Sequence, residues 1–253
     1  MWILYASEIA ACIGKNPFTT QAEAAVKVWK RCDELGYAAC LEKLAVQEKP
    51  PIEEQIKDTP LEIQVKELIA ASDRLDISGK VDHLVEKLSP ETQKDVRSMI
   101  YTTRGHLAED QVIHLHEKKT GTAVKARNDK FYKIFIKYQS NDGTETSAMI
   151  GGRIDGMAED GTLVEVKNRQ RRIFKTVPTY EKIQIMTYLV LTMTNECQLV
   201  QKYCDETKTD IIVFDEEYWK SVVKDIKSFC IKLDTVVSGA LETKRALIED
   251  NIF

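Results

Sequence analysis

The hydrophobic period of the chain changes at residue 131, and this change restricts the fold more than any other sequence feature. Upstream of it, apolar residues recur at helical spacing, whereas downstream they alternate with polar residues as in strands. The segments "FYKIFIKY", "SAMIGGRIDGMA" and "TLVEVKN" are separated by "SNDGTE" and "EDG". The sequence therefore predicts three antiparallel strands joined by two turns that contain Asp-Gly.

Helices are predicted on both sides of this meander. Thr20 and Glu23 form a possible capping box at the start of a long helical run, Ser89 and Pro90 begin another helix, and Gly121 ends a third. The predicted helices cover about 8–14, 20–47, 61–72, 90–100, 104–121, 179–193 and 216–247, with a polar connector at 48–60 and further strands near 196–204 and 209–214. We expect one α/β (α+β) domain over 1–253, with a mainly helical part at 1–103, a core at 104–214 and a C-terminal helix at 215–253.

Composition excludes several classes of protein. No apolar run approaches the roughly 18 residues that span a bilayer, so we expect an intracellular, soluble protein without a membrane partner. The six cysteines form no CxxC pair and are too sparse for a disulfide framework. The net charge of -4 gives no general attraction to nucleic acid, so a phosphate partner requires a local basic patch.

A candidate metal site lies on the third predicted strand. Glu165 and Lys167 share one face of "LVEVK", while Val164 and Val166 point into the core. A two-residue turn would pair Asp155 with Val166, but a three-residue loop, with Gly161 in the left-handed conformation, pairs Asp155 with Glu165. We favour the second register.

Opposed carboxylates about 4.5 to 5.5 Å apart at Cβ repel each other unless a cation lies between them. Oxygen ligands without His or Cys suit Mg²⁺ or Mn²⁺, and we expect two such ions and a phosphodiester substrate. A basic run directly follows, "KNRQRRIFK", which could contact phosphates. Its candidate DNA-binding residues are Arg169, Arg171, Arg172 and Lys175.

Alternatives remain open at this point. Acid-x-Lys also occurs at Glu117 and Lys119, for example, so the pair at 165 and 167 could be a solvated ion pair on an exposed strand. The lysines between 125 and 137 could line a DNA groove or simply protect a strand edge from pairing.

Four patches of sequence resemble the PD-(D/E)XK nuclease superfamily, and more narrowly its lambda exonuclease type, also called YqaJ-like viral recombinases. They are "YASEIAACIGKNPF" with Ser7, "RGHLAE" with Glu109, the D(x9)E-x-K motif of Asp155, Glu165 and Lys167, and "YEKIQ" with Tyr180 and Gln184. The resemblance spans residues 5 to about 214. It implies a restriction-endonuclease-like core with a central mixed β-sheet flanked by helices.

The resemblance also implies roles for individual residues. Asp155, Glu165, Glu109 and the Val166 carbonyl would bind metal, Lys167 would be the catalytic lysine and Gln184 would lie beside the nucleophile. Ser7 would lie near a DNA phosphate, although serine equally suits a helix cap. Arg104, just before "GHLAE", is a further candidate for a phosphate contact.

The implied activity is digestion of duplex DNA from an end, typically 5′ to 3′, with a single-strand-annealing partner and in some relatives a homo-oligomer. Two alternatives stay open. The same metal site would serve a structure-specific or restriction-type endonuclease. The second alternative is a DNA-binding protein that has a nuclease-like fold but does not cleave DNA.

Overall fold

The computed structural model describes residues 1–253 and contains eight strands, ten α-helices and a 3-10 turn at Ala6–Glu8. The strands are β1 (Trp2–Tyr5), β2 (Val124–Lys125), β3 (Tyr132–Gln139), β4 (Glu145–Gly152), β5 (Gly156–Ala158), β6 (Leu163–Asn168), β7 (Glu196–Tyr203) and β8 (Glu206–Val213). The helices are α1 (Ile9–Cys12), α2 (Gln21–Cys32), α3 (Glu34–Leu44), α4 (Ile52–Ile56), α5 (Pro60–Ala70), α6 (Ser78–Val85), α7 (Pro90–Thr120), α8 (Thr179–Thr192), α9 (Glu216–Ser238) and α10 (Leu241–Ile248).

The strands form two sheets. A three-stranded sheet has the order β1-β4-β3, with β1 parallel and β3 antiparallel to β4. A five-stranded mixed sheet has the order β2-β5-β6-β7-β8, in which only β6 and β7 run parallel. The mixed α+β fold predicted from the sequence is confirmed.

The largest apolar core lies between the three-stranded sheet and the helices α2, α3 and α9. Trp29 and Phe229 are its largest fully buried side chains, and Leu4 and Ile150 contribute from the sheet. The six cysteines are free. A second core joins α8 to β6 and β7 through residues such as Ile185 and Leu199.

Helix α8 connects β6 to the parallel strand β7, which is the crossover that parallel neighbours need. Strand β6 is covered on both faces: Val164 and Val166 belong to the cluster that includes Val112 of α7, and Leu163 belongs to the cluster formed with α8. The central position of β6 therefore places any polar side chain on it in a largely buried environment.

The second predicted strand is interrupted. We expected 147–158 to form one strand, but β4 ends at Gly152 and β5 begins at Gly156, and the two belong to different sheets. The intervening residues include Asp155. The prediction missed this break because apolar and polar side chains continue to alternate through it.

Several helix boundaries also differ from prediction. The predicted helices at 90–100 and 104–121 are one 31-residue helix, α7, which begins after Ser89 and ends at Gly121 with φ 72°. Helix α7 continues past residue 103, where we expected the mainly helical part to end and the core to begin. The long runs at 20–47 and 216–247 are each two helices, and β1 and α6 were not predicted.

Residues 52–103, called the helical unit below, have an apolar core of their own that includes Val65, Val81 and Ile100. Polar contacts join this unit to the larger sheet: Lys202 Nζ lies 2.7 Å from Asp73 Oδ2, and Tyr203 Oη donates to Asp76 Oδ2 at 2.9 Å. None of the helices is long and apolar enough to cross a bilayer.

Candidate active site

The hairpin between β5 and β6 sets the position of Asp155. Gly156 pairs with Val164 and Met157 with Leu163, so the same register brings Asp155 opposite Glu165. The loop is the three-residue form, with Gly161 at φ 86° and the Ala158 amide bonded to the Thr162 carbonyl at 2.8 Å. The predicted register is confirmed.

Asp155 is fixed by a backbone contact. Its Oδ2 accepts a hydrogen bond from the Val166 amide at 2.8 Å, just before β5 begins at Gly156. This bond holds the carboxylate against β6 and leaves its other oxygen without a protein partner among the hydrogen bonds. The site thus combines Asp155, which is held in place between β4 and β5, with Glu165 on the central strand β6.

Glu165, Lys167 and Gln184 form a connected group. Lys167 Nζ donates to Glu165 Oε1 at 2.7 Å and to Gln184 Oε1 at 3.1 Å. The Glu165 side chain is 1% exposed, whereas that of Lys167 is 23% exposed. Because an ammonium has three N–H donors and two are used here, Lys167 retains one donor on the more open side of the group.

Burial and mutual repulsion determine the protonation of this group. Burial, together with the charge of Asp155, raises the pKa of Glu165 to about 7. Burial also raises the pKa of Asp155, and Glu109 adds to that shift while Lys167 opposes it. Burial alone would lower the pKa of Lys167, but Glu165 and Asp155 outweigh it and raise that pKa above its ordinary value.

The donor set fits a hard divalent cation. The second oxygen of Glu165, Oε2, is buried without a hydrogen-bond partner, and such an atom is costly unless something binds it. No three His, Cys, Asp or Glu side chains converge as a complete metal cage. Two carboxylates with the Val166 carbonyl nearby match the sparse protein ligation that Mg²⁺ accepts, since this ion keeps several waters.

Glu109 approaches the site from helix α7. Its carboxylate is near enough to Asp155 to raise the pKa of that residue, and His106 Nδ1 lies 2.9 Å from Glu109 Oε1. The Glu109 side chain is 22% exposed. The structure therefore brings Asp155, Glu165, Lys167 and Gln184 together, whereas Glu109 is linked to them only through its charge effect on Asp155. The roles of these residues in catalysis and metal binding stay predictions.

Two of the predicted DNA-binding arginines are instead buried, and those predictions are wrong. Arg104 is 5% exposed and its guanidinium donates to the carbonyls of Leu68, Ile69, Ala71 and Ser72, where helix α5 ends. Arg169 is 7% exposed and is paired with Glu181. A guanidinium already enclosed by protein acceptors has no surface left for a phosphate.

The remaining basic residues are on the surface. Arg171, Arg172 and Lys175 are exposed, and Arg171 NH2 lies 3.0 Å from Asp82 Oδ2. Ser7 is also exposed, and it does not cap the turn: the Glu8 side chain accepts from the Tyr5 amide at 2.9 Å instead. The DNA-binding roles of these four residues stay predictions.

The buried residue that sequence reasoning missed is Glu181. Both of its oxygens accept from Arg169, one at 2.8 Å, and Arg169 Nε donates to Gln201 Oε1 at 2.8 Å. The guanidinium carbon of Arg169 also lies 4.2 Å from the centre of the Phe174 ring. In the sequence, Glu181 is only an acid between Tyr180 and Gln184 at the start of α8. Acidic residues are common at helix N-termini, so the pattern did not mark this one as buried.

No family model matches the sequence, and no curated protein matches it. Among solved structures, the chain is similar to an alkaline exonuclease (LHK-Exo) from Laribacter hongkongensis, with 15% identity, 96% of this chain and 93% of that chain covered, and a TM-score of 0.45. It is also similar to a phage related exonuclease from Haemophilus somnus 129PT, with 16% identity, coverage of 91% and 92%, and a TM-score of 0.42.

Proposed function

We propose that the chain is a metal-dependent deoxyribonuclease that hydrolyses phosphodiester bonds at the ends of linear duplex DNA. The observation that carries this proposal is the pair formed by half-buried Asp155 and buried Glu165, called the acidic pair below, with Lys167 hydrogen-bonded to Glu165 and Gln184. A structural role alone does not explain this arrangement, because two neighbouring carboxylates with raised pKa values destabilise the fold when both are ionised.

The acidic pair, together with the Val166 carbonyl and Glu109, would hold Mg²⁺ or Mn²⁺, and two ions are part of the proposal. The bound cation supplies positive charge beside the scissile phosphate and Lewis-acid activation of water. Glu165 Oε2, buried without a partner, and the oxygen of Asp155 that faces away from the Val166 amide are the atoms available for this purpose.

Lys167 would act on the nucleophilic water and on the phosphate. Its raised pKa keeps Lys167 protonated at neutral pH, so it presents a positive charge and one unused N–H donor. A donor held in place before the reaction stabilises the charge that develops on a phosphate oxygen without further reorganisation.

Gln184 and Glu109 would orient this group from two different helices. Gln184 accepts from Lys167 and so fixes the direction of the ammonium, while its amide N–H₂ remains available to a water. Glu109 lies on the other side, near Asp155, with His106 as its neighbour. Chemistry at this site therefore depends on α7 and α8 holding their positions against β6.

The substrate end, the 5′ to 3′ direction, a viral or phage-type role in recombination and a single-strand-annealing partner are further parts of the proposal. Their support is the four-motif resemblance described above. The exposed Arg171, Arg172 and Lys175, which follow Lys167 along the chain, supply a local basic surface for DNA on an acidic protein.

A cleavage assay with Mg²⁺ tests the proposal on three substrates: linear duplex with 5′-phosphate, linear duplex with 5′-hydroxyl, and supercoiled circles. We expect progressive loss of the linear duplexes and survival of the closed circles, and no cleavage in EDTA. Nicking of circles at the rate of linear digestion would instead indicate an endonuclease. Absence of cleavage with Mg²⁺ and with Mn²⁺ would reject both.

A further inference from the structure

The three-stranded sheet has one open face, and this face is apolar and aromatic. The strand register places Ile3, Met149 and Phe135 in one row across the sheet and Tyr5, Gly151 and Lys133 in the next. The opposite face, with Leu4 and Ile150, is fully buried in the main core. The outward residues Ile3, Tyr5, Phe131, Lys133, Phe135, Lys137 and Met149 are called the open face below.

The exposure of these rings requires an explanation. Phe135 is 56% exposed, Phe131 40% and Tyr5 39%. The solvated face of an antiparallel sheet is normally polar, and clustered exposed aromatic side chains mark a binding surface more often than isolated ones do. Three rings on one small face are therefore a specific feature rather than ordinary surface composition.

The rings at one end of the open face are held in fixed positions. Phe131 lies directly over Gly151, where an added Cβ would come within 2.5 Å of the ring. Tyr5 meets Phe131 edge to face, with 6.3 Å between ring centres and 84° between ring planes. The Arg31 guanidinium lies 4.0 Å from the centre of the Tyr5 ring. Rigid rings bind with little loss of conformational entropy.

Positive charge accompanies the rings. Lys133 is exposed and makes no salt bridge, and Lys137 pairs only with Glu145, itself 65% exposed. Aromatic rings interleaved with lysines are the arrangement that stacks on bases while neutralising the phosphates between them.

The open face adjoins the acidic pair. Gly151 precedes Asp155 by four residues, a distance of at most about 14 Å along the backbone. The segment that carries Phe131 is bonded to the same stretch, since the Asn128 amide donates to the Ile154 carbonyl at 3.0 Å. Beyond Gly151, Gly152 lies against Ala6 and Tyr188, and the pKa of Tyr188 is raised by burial and by Glu165.

We propose that the open face binds single-stranded DNA by base stacking on Phe131, Phe135 and Tyr5 with phosphate contacts from Lys133, and holds it beside the acidic pair. In the proposed nuclease, the bound strand would be the segment that flanks the scissile bond, and this part of the inference rests on the proposed function. The binding itself does not, because it needs neither metal nor cleavage.

Binding is measured in EDTA, by fluorescence anisotropy with labelled oligo-dT of about 16 nucleotides and with a duplex of equal length. Phe131→Ala and Phe135→Ala should each weaken oligo-dT binding about fivefold or more. Lys133→Glu should weaken it and flatten its salt dependence. Ile211→Ala, an exposed strand residue of the other sheet, and Lys224→Glu, an exposed helix lysine, are the matched controls and should bind as wild type does.

Melting temperatures and cleavage of linear duplex are measured in parallel. Oligo-dT binding that depends on Phe131, Phe135 and Lys133 in an inactive protein would reject the nuclease proposal and support the open face. Unchanged oligo-dT binding in folded variants of an active enzyme would overturn the open-face proposal alone. A change of oligomeric mass in Phe135→Ala, without any effect on oligo-dT binding, would also overturn it and identify the face as a protein interface.

Discussion

The two sheets differ in the kind of side chain that they bury and expose. The five-stranded sheet and its helix α8 bury charged groups, among them Glu165, Glu181 and Lys202. The three-stranded sheet exposes aromatic ones, with Phe135 more than half exposed. Each choice costs stability, since buried charge must be desolvated and exposed apolar surface remains in water.

Within the larger sheet, the buried charges fall into two kinds. Arg169 and Glu181 satisfy one another, and Gln201 completes their hydrogen bonding. The acidic pair is not satisfied, because Lys167 is one cation for two carboxylates and Glu165 Oε2 has no partner. A satisfied pair indicates structure, whereas an unsatisfied one indicates a missing ligand.

The largest effect is expected for Lys167→Ala, which removes the charge and donor beside the acidic pair. Cleavage of linear duplex in Mg²⁺ should fall about 10²- to 10⁴-fold. Lys119→Ala is the matched control, because Glu117 and Lys119 have the same acid-x-Lys spacing on a helix surface. Equal rates for wild type and Lys167→Ala, including no cleavage by either, would favour a DNA-binding protein without turnover.

Glu181→Gln should cost the most stability. It leaves the Arg169 guanidinium buried without its carboxylate, at a cost of about 3–5 kcal/mol in the free energy of unfolding. Glu145→Gln is the control, since its pair with Lys137 is largely exposed and should contribute less than about 1 kcal/mol. Denaturant unfolding measures both, and similar values would mean that burial does not separate the two kinds of ion pair.

Arg104→Met should lower the free energy of unfolding by about 1–3 kcal/mol, because carbonyls at the end of helix α5 lose a charged donor. Affinity for duplex DNA should not change. Arg172→Ala is the opposite case: the residue is exposed, so DNA affinity should fall without a change in melting temperature. Loss of DNA affinity in well-folded Arg104→Met would show that the arginine reaches DNA after all.

Asp155→Asn should have the smallest effect on stability and the opposite sign. In EDTA near pH 8 it removes repulsion within the acidic pair and keeps an acceptor for the Val166 amide, so the melting temperature should rise by roughly 2–4 °C, about 1 kcal/mol. In wild type, Glu165 has a pKa raised from 4.5 to about 7, so its ionisation costs stability as the pH rises through that window.

The increase in the melting temperature of Asp155→Asn over wild type should therefore be full above pH 7 and should disappear as the pH falls below about 4.5. Added Mg²⁺ should raise the melting temperature of wild type but not of Asp155→Asn, because a ligand stabilises only the state that binds it. A marked drop in the melting temperature of Asp155→Asn in EDTA would identify Asp155 as a structural residue.

Local rules were sufficient for much of the fold. Capping chemistry correctly set the starts of α2 and α7, and Gly161 set the three-residue hairpin that brings Asp155 opposite Glu165. The break between β4 and β5 was beyond those rules, because it depends on two sheets diverging. The parallel pairing of β1 with β4 joins segments more than 140 residues apart, which local periodicity does not encode.

The same limit applies to the site. Asp155, Glu165 and Lys167 are close in sequence and their geometry followed from strand parity. Arg104 and Arg169 were misassigned because charge alone does not reveal burial: their acceptors come from the end of α5 and from α8. Long-range partners decide whether an arginine in a basic run is part of the surface or of the interior.

Helix α7 is unbroken over 31 residues, a rigid rod of about 46 Å. Its first half belongs to the helical unit through Val96 and Ile100, and its second half carries Glu109 to the neighbourhood of Asp155. A ligand or partner that tilted the helical unit would therefore also change the distance between Glu109 and Asp155, because one continuous helix joins them.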